Sequence, residues 1–589
     1  MEDLLQVVDL QVRFETQAGP IEAVRGVSFR VKPGGSVALV GESGSGKSVI
    51  SQAILGILPV PGRIHGGRIL YRDPRRAGEP IDLAALDPDC RAFRGLRGAG
   101  LAIIFQEPMS ALSPVHRIGD QIGEALRLHR QVGRAESRRL VAELLALAGF
   151  PAPDTAVDAY PFELSGGLRQ RAMIAQALAG RPCLLLADEP TTALDVTVQA
   201  QILQLLDRLR AELGMALLLI THDLGVVANI AEEIVVLRRG RVMESGPAEA
   251  LFAEPRHPYL KALLHAVPRL GQTRPPAPEA GPVLLAARGL VKRFTARHGA
   301  DPARAAVDGV DLELYRGECL GLVGESGSGK STLAKLLLRA LTPESGTVCF
   351  AGTAVSGLRG AALHGFRRRA QYVFQDPNGA LDPRMSAFEI IAEPLIIHGL
   401  GAPGARRARV EQVAALVGLE PGLLGRFPHS FSGGQRQRIG IARALVLEPE
   451  LLVCDEPVSA LDVSIQAQIL ALLQDLRTRL GLTYLFISHN LAVVDAVADR
   501  IAVMCAGRIV ELAPRRTLFE RPVHPYTQAL LAAIPLPDPA AKLDFARICS
   551  GTPGDPASWP RPFTRDAAHC PGLIDLGAGH LVEALERPT

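Results

Sequence analysis

Short apolar runs recur along the chain, and each stops at a polar or glycine-rich break. SVALV at 36–40 and CLGLV at 319–323 run directly into GESGSGKS, at 41–48 and again at 324–331. PCLLLADEP at 182–190 and ELLVCDEP at 450–457 end on two adjacent carboxylates, while ALLLI at 216–220 and TYLFI at 483–487 end just before a histidine. Apolar runs bounded in this way predict short buried strands. SVISQAILGIL and STLAKLLLRAL, which follow the two glycine loops, have helical character. Leu140, Val141, Leu144, Leu145 and Leu147, like Val410, Val413, Leu416 and Val417, recur at helical spacing and predict amphipathic helices. No apolar run reaches the length of about eighteen residues that a membrane-spanning helix needs, and MEDLLQVVDLQVRF lacks the basic and apolar regions of a signal peptide. The expectation is a chain that stays in the cytoplasm and does not itself cross a membrane.

The whole pattern occurs twice. LSGG at 164–167 matches FSGG at 431–434, ADEP at 187–190 matches CDEP at 454–457, and TALDVTVQAQIL at 192–203 matches SALDVSIQAQIL at 459–470. THD at 221–223 against SHN at 488–490, and HPY at 257–259 against HPY at 524–526, keep the same offset of 267 residues. Self-similarity at a fixed distance means two copies of one domain. The first copy carries an insertion around YRDPRRAGEPIDLAALDPD, expected at the surface. The reading divides the chain into a first domain at 1–253 with an HPY extension at 254–268, and a second domain at 284–520 with an extension at 521–589. Between them RLGQTRPPAPEAGPV, 269–283, has prolines at 275, 276, 278 and 282 and reads as an extended linker. The tail from about 535, rich in Pro, Gly and Ala, reads as mostly loop.

Composition narrows the class further. The 589 residues exceed one compact core; 48% are hydrophobic and 21% charged, as in ordinary globular proteins. The 64 basic and 61 acidic side chains nearly balance, so nothing demands nucleic acid. Eight cysteines are scattered without a C-x-x-C pair, which argues against a disulfide framework or a structural zinc.

The chemistry lies at the ends of the strands. Strand, G-x-x-x-x-G-K-[ST], helix is the context of a phosphate-binding loop: its glycines let backbone N–H groups converge on phosphates, and the helix N-terminus adds a favourable dipole. Gly41, Glu42, Ser43, Gly44, Ser45, Gly46, Lys47 and Ser48 form one loop, and Gly324, Glu325, Ser326, Gly327, Ser328, Gly329, Lys330 and Ser331 the other. Lys47 and Lys330 reach toward the β- and γ-phosphates, and Ser48 and Ser331 toward Mg²⁺. Asp188 and Asp455 suit the Mg²⁺ shell, whereas Glu189 and Glu456 suit polarisation of an attacking water. His222 and His489, just past their strands, are read as γ-phosphate contacts.

LSGG followed by LRQR, and FSGG followed by QRQR, resemble the signature motif of ABC-type ATPases. The resemblance implies Q-loop glutamines at Gln106 of IIFQEP and Gln375 of YVFQDP, contacting both ATP and Mg²⁺. It also implies D-loop aspartates at Asp195 and Asp462, and aromatic platforms for adenine at Phe14 and Phe294. Its expected fold is α/β: two tandem P-loop, RecA-like cassettes, each with a small antiparallel β part and a helical subdomain. In the family one copy's P-loop faces the other's signature head to tail. The implied ATP sites then add Ser432, Gly433 and Gly434 to the loop at 41–48, and Ser165, Gly166 and Gly167 to the loop at 324–331.

EPRHPYLKALLHAVP and RPVHPYTQALLAAIP resemble the extension of ATPases that serve oligopeptide and dipeptide importers, and the two signature contexts resemble a pair of such subunits fused. That implies an ATP-hydrolysing subunit that powers import of peptides or peptide-like solutes from the cytoplasmic side of a bacterial inner membrane. Its partners would be two transmembrane permeases and an extracytoplasmic solute-binding protein, with no nucleic acid. Importers of sugars, nickel chelates or opines remain open, as does a tandem-cassette translation factor, which would need a long charged helical linker. Such ATPases often end in a cysteine-rich segment that holds an iron–sulfur cluster. Here only Cys549 and Cys570 stand in the tail, and four thiolates are the usual requirement, so no cluster is expected.

Overall fold

The structure is a computed structural model and describes residues 2–16, 19–75, 78–192, 194–268, 270–271, 281–294, 305–459, 461–545, 548, 554–566 and 569–588. The chain divides into two compact units: Met1–Leu194, Val198–Val267 and Pro535–Phe545 form the first; Asp195–Thr197, Pro268–Ile534 and Ala546–Thr589 form the second. Most of the expected linker, and Cys549, lie outside the described residues. Among the described residues no helix is long and apolar enough to cross a membrane.

The first unit is built on a six-stranded sheet in the order Arg241–Pro247, Glu233–Arg238, Ser36–Val40, Ala216–Thr221, Leu184–Asp188, Leu101–Ile104. All neighbours pair in parallel except the first two, which pair antiparallel. Side chains alternate across a strand, so Val37, Leu39, Leu184, Leu186, Leu218 and Ile220 enter one core, while Ala38, Val40, Leu185, Ala187, Leu217 and Leu219 enter another. Both faces are covered, which is why these strands read as unbroken apolar runs. One face packs under a four-stranded antiparallel sheet ordered Gly19–Val31, Leu5–Thr16, Gly62–Tyr71, Ile81–Asp82. The other face packs against helices, among them Gly166–Leu178, and that core continues into Ile118–Arg130 and Arg134–Leu147. Leu140, Val141 and Leu145 are buried there, and Leu144 and Leu147 pack alongside.

The second unit repeats this plan. Its antiparallel sheet runs Val307–Tyr315, Val283–Lys292, Ser345–Phe350, Thr353–Ala354. Ala387–Ile397 and Pro403–Leu416 form its helical part, with Val410, Val413 and the flanking Val417 buried. The α/β class with parallel, antiparallel and helical parts is thus present in both copies.

Two expectations need refinement. The tail is mostly loop among the described residues, as expected, but Gly572–Gly577 and His580–Ala584 form an unexpected hairpin that extends the second parallel sheet to eight strands by pairing with Arg508–Pro514. Val582 and Ala584 share one face with the buried His580, while Glu583 is buried on the opposite face, and these polar residues hid the strand. The insertion is not wholly superficial. Tyr71, Asp73 and Leu83 are buried, Arg75 pairs with Asp73, and Ile81–Asp82 adds an edge strand.

Candidate functional site

Each glycine loop joins a central strand to a helix, Ser36–Val40 to Lys47–Ile54 and Cys319–Val323 to Lys330–Leu337. Gly46 and Gly329 take φ of 98° and 108°, and a Cβ there would lie 2.6 Å from the Ala23 carbonyl oxygen or 2.1 Å from that of Ala306. Only glycine meets both demands. No side chain caps either helix, so the first-turn N–H groups are left to an anionic ligand. Lys47 is buried, and its Nζ donates to the carbonyls of Gly41 (2.6 Å) and Glu42 (2.8 Å); Lys330 does the same to Gly324 (2.7 Å) and Glu325 (2.8 Å). Burial pushes the Lys330 ammonium below its ordinary value.

The carboxylates close the base of the site. Ser48 Oγ donates to Asp188 Oδ1 at 3.1 Å, placing two hard oxygen donors side by side. Burial pushes Asp188 up to about 6. In the second copy Asp455 is buried, its Oδ1 has no hydrogen-bond partner, and its Oδ2 accepts from the Tyr372 hydroxyl, where the first copy has Ile103.

Glu189 and Glu456 follow, each at φ 46°, outside the strand and turned back by an N–H bond to the carbonyl of Ile220 or Ile487. A left-handed non-glycine residue is strained, and its recurrence at both glutamates marks a built feature. Glu189 Oε2 accepts from Gln106 Nε2 at 2.8 Å and Oε1 meets His222 Nδ1 at 3.0 Å; for Glu456 the partners are Gln375 at 2.8 Å and His489 at 3.1 Å. Burial works to raise both glutamates, but the paired histidine, a nearby hydroxyl and the loop lysine together outweigh it, bringing Glu189 to about 2 and holding Glu456 below the ordinary value.

Gln106 and Gln375 therefore touch the glutamates, where the resemblance implied ATP and Mg²⁺. Ser165 and Ser432 are exposed and cap the helices Gly166–Leu178 and Gly433–Leu445. Gly166 and Gly433 begin these helices, and Gly167 and Gly434 let them approach Val198 and Ile465, where a Cβ would lie within 2.6 and 2.4 Å. The two phenylalanines differ: Phe294 is exposed, whereas Phe14 is part-buried with its ring edge against Gly62. Sequence reading missed Thr192, which donates to Glu189 Oε2 at 2.9 Å, and Tyr372. Thr192 was read only as the start of the repeated TALDVTVQAQIL, and Tyr372 has no aromatic counterpart to flag it.

Known proteins resemble this chain over most of its length. The family description "ABC transporter" matches residues 24–192 and 307–459, and "Oligopeptide/dipeptide transporter, C-terminal region" matches 243–297 and 510–560. The glutathione import ATP-binding protein GsiA of Pectobacterium atrosepticum is 46% identical over 568 residues, covering 92% of this chain and 90% of that protein. The proteins of the same name from Salmonella typhimurium and Escherichia coli K12 are each 45% identical over 567 residues, 91% of this chain and 90% of theirs. With both descriptions matched twice and relatives aligned over nine-tenths of their length, the chain belongs to the ATP-binding proteins of oligopeptide and dipeptide ABC transporters, ATPases that here carry two cassettes in one polypeptide.

Proposed function

We propose that each copy holds ATP on its glycine loop and hydrolyses it, and that turnover drives import of a short peptide or peptide-like solute. The observation that carries the reading is the Gln106–Glu189–His222 cluster, repeated with nearly the same distances as Gln375–Glu456–His489. Glu189 lies far below the usual carboxylate range, so it stays ionised and orients and polarises the attacking water, being too weak a base to take its proton outright. His222 holds the carboxylate by one oxygen and Gln106 by the other, which fixes its direction. Lys47 and the first-turn N–H groups of the helix stabilise charge on the transferring phosphoryl group. Ser48 with Asp188, and Ser331 with Asp455, would hold Mg²⁺: these are hard oxygen donors, and the unpartnered Asp455 Oδ1 fits a cation. When bound, Mg²⁺ neutralises charge on the β- and γ-phosphate oxygens.

The near-complete alignment with glutathione importers makes glutathione, a tripeptide, the first candidate cargo. Two membrane permeases and a solute-binding protein would complete the transporter, with this chain on the cytoplasmic side of the inner membrane. The division at 253, 268, 283 and 520 belongs to the same reading. Replacing Glu189→Gln and Glu456→Gln together tests the chemistry: nucleotide binding persists while hydrolysis falls by roughly 10²- to 10⁴-fold. Hydrolysis at the wild-type rate would overturn the assignment.

A further inference from the structure

The HPY segments lie outside the reaction just described, yet each touches a glycine loop. In the first copy Glu244, on the strand Arg241–Pro247, accepts the backbone N–H groups of Arg256 (3.0 Å) and His257 (2.9 Å). His257 Nδ1 then accepts the N–H of Tyr259 at 3.1 Å, capping the helix Pro258–Ala266, and the Tyr259 hydroxyl oxygen accepts the N–H of Glu42 at 3.2 Å. The second copy repeats each step. Glu511 accepts from Val523 (2.9 Å) and His524 (3.1 Å), His524 Nδ1 accepts from Tyr526 N–H (3.1 Å), and the Tyr526 hydroxyl accepts from Glu325 N–H (3.0 Å).

The bonded N–H is half of a peptide plane whose other half is already in use. The carbonyl of the Gly41–Glu42 peptide holds Lys47 Nζ, and the carbonyl of the Gly324–Glu325 peptide holds Lys330 Nζ. A peptide unit is rigid and planar, so fixing its N–H fixes the direction of its C=O. Each plane is thus pinned between a tyrosine hydroxyl on one side and the loop lysine on the other. Both tyrosines are buried, which holds the hydroxyl in place; an Arg238 guanidinium also lies 4.8 Å over the Tyr259 ring.

We propose that Tyr259 and Tyr526 are positioning residues for the nucleotide loops: the hydroxyl sets the first peptide plane of each loop and, through it, the lysine that meets the phosphates. The duplicated HPY extension is thereby a buttress for ATP binding, one for each copy. This rests on the reading that the loops bind ATP.

Tyr259→Phe and Tyr526→Phe, singly and together in the full chain, remove the hydroxyl and keep the ring. The KM for ATP rises roughly threefold to tenfold in each altered copy, the usual effect of one lost hydrogen bond, while kcat is kept. Hydrogen–deuterium exchange rises across 41–48 in Tyr259→Phe and across 324–331 in Tyr526→Phe, in each case with the rest of the chain unchanged. A wild-type KM with unchanged exchange overturns the proposal, as does a general rise in exchange, which would mean plain loss of packing. Lys47→Ala with Lys330→Ala separates the two readings. If that variant binds ATP normally, the loops are not the nucleotide sites. If it loses ATP while the tyrosine variants keep wild-type affinity, the tyrosine proposal alone fails.

Discussion

Asp188 and Glu189 are neighbours in the chain, but their surroundings drive their carboxyl groups in opposite directions. Asp188 ends a buried strand and burial raises it to about 6; Glu189, also pushed up by burial, is brought to about 2 by His222 and Thr192. The signs follow by linkage. Asp188 binds its proton more tightly in the folded chain, so it costs stability as pH rises from about 4 through 6. Glu189 contributes stability above its ordinary value of 4.5 that is lost as pH falls toward 2. If Asp188 holds Mg²⁺ as proposed, a proton competes with the ion for it, and lowering pH from 7.5 to 5.5 should weaken Mg²⁺-dependent nucleotide binding by the first copy roughly fourfold. Titrating nucleotide into a Lys330→Ala chain at the two pH values checks this, and an unchanged affinity would contradict it. The residue types at these positions were legible from DEP alone. Their separate roles were already expected from that motif, but the opposite shifts were not legible, since they depend on which carboxylate the folded chain leaves beside His222.

At the scale of the element, the strands that carry Glu244 and Glu511 differ in what covers them. Arg508–Pro514 is an inner strand, paired with the C-terminal hairpin, and Glu511 is fully buried with His580 Nε2 at 2.8 Å besides its two backbone partners. Trp559 and Phe563 pack on the His524 ring at 4.5 and 5.1 Å. Arg241–Pro247 is an edge strand and Glu244 is half-buried. Removing a buried acceptor strands its donors, so Glu511→Ala should cost about 3 kcal/mol, against about 1 kcal/mol for Glu244→Ala. Denaturant midpoints of the two variants measure the difference; equal losses would mean that the hairpin adds nothing. The hairpin escaped sequence reading because its turn, Gly577 to Gly579, looks like linker and its partner strand lies more than sixty residues upstream. Pattern reading sees local periodicity and not pairing partners.

For the whole molecule, two complete sets of residues in one chain mean that transport should be lost when the two loops are disabled together. In a strain where Lys47→Ala and Lys330→Ala replace the native residues, uptake of labelled glutathione or of short peptides should fall to the level of a deletion strain. Normal peptide uptake with loss of sugar or nickel-chelate uptake would keep the importer and change its cargo.

Repeat, loops, carboxylates and buried strands were determined by sequence alone, because backbone approach to phosphate demands glycine, strands covered on both faces demand unbroken apolar runs, and both demands recur in each copy. Tertiary structure decided what no spacing encodes: that Gln106 and His222 grip opposite oxygens of one carboxylate, that Tyr259 reaches back 217 residues to the first loop, and that polar His580 and Glu583 belong inside a sheet. Each of these is a hydrogen bond between segments distant in the chain. Its partner exists only once folding has brought two strand ends or two sheet edges together, and until then a tyrosine or a histidine reads the same as any other.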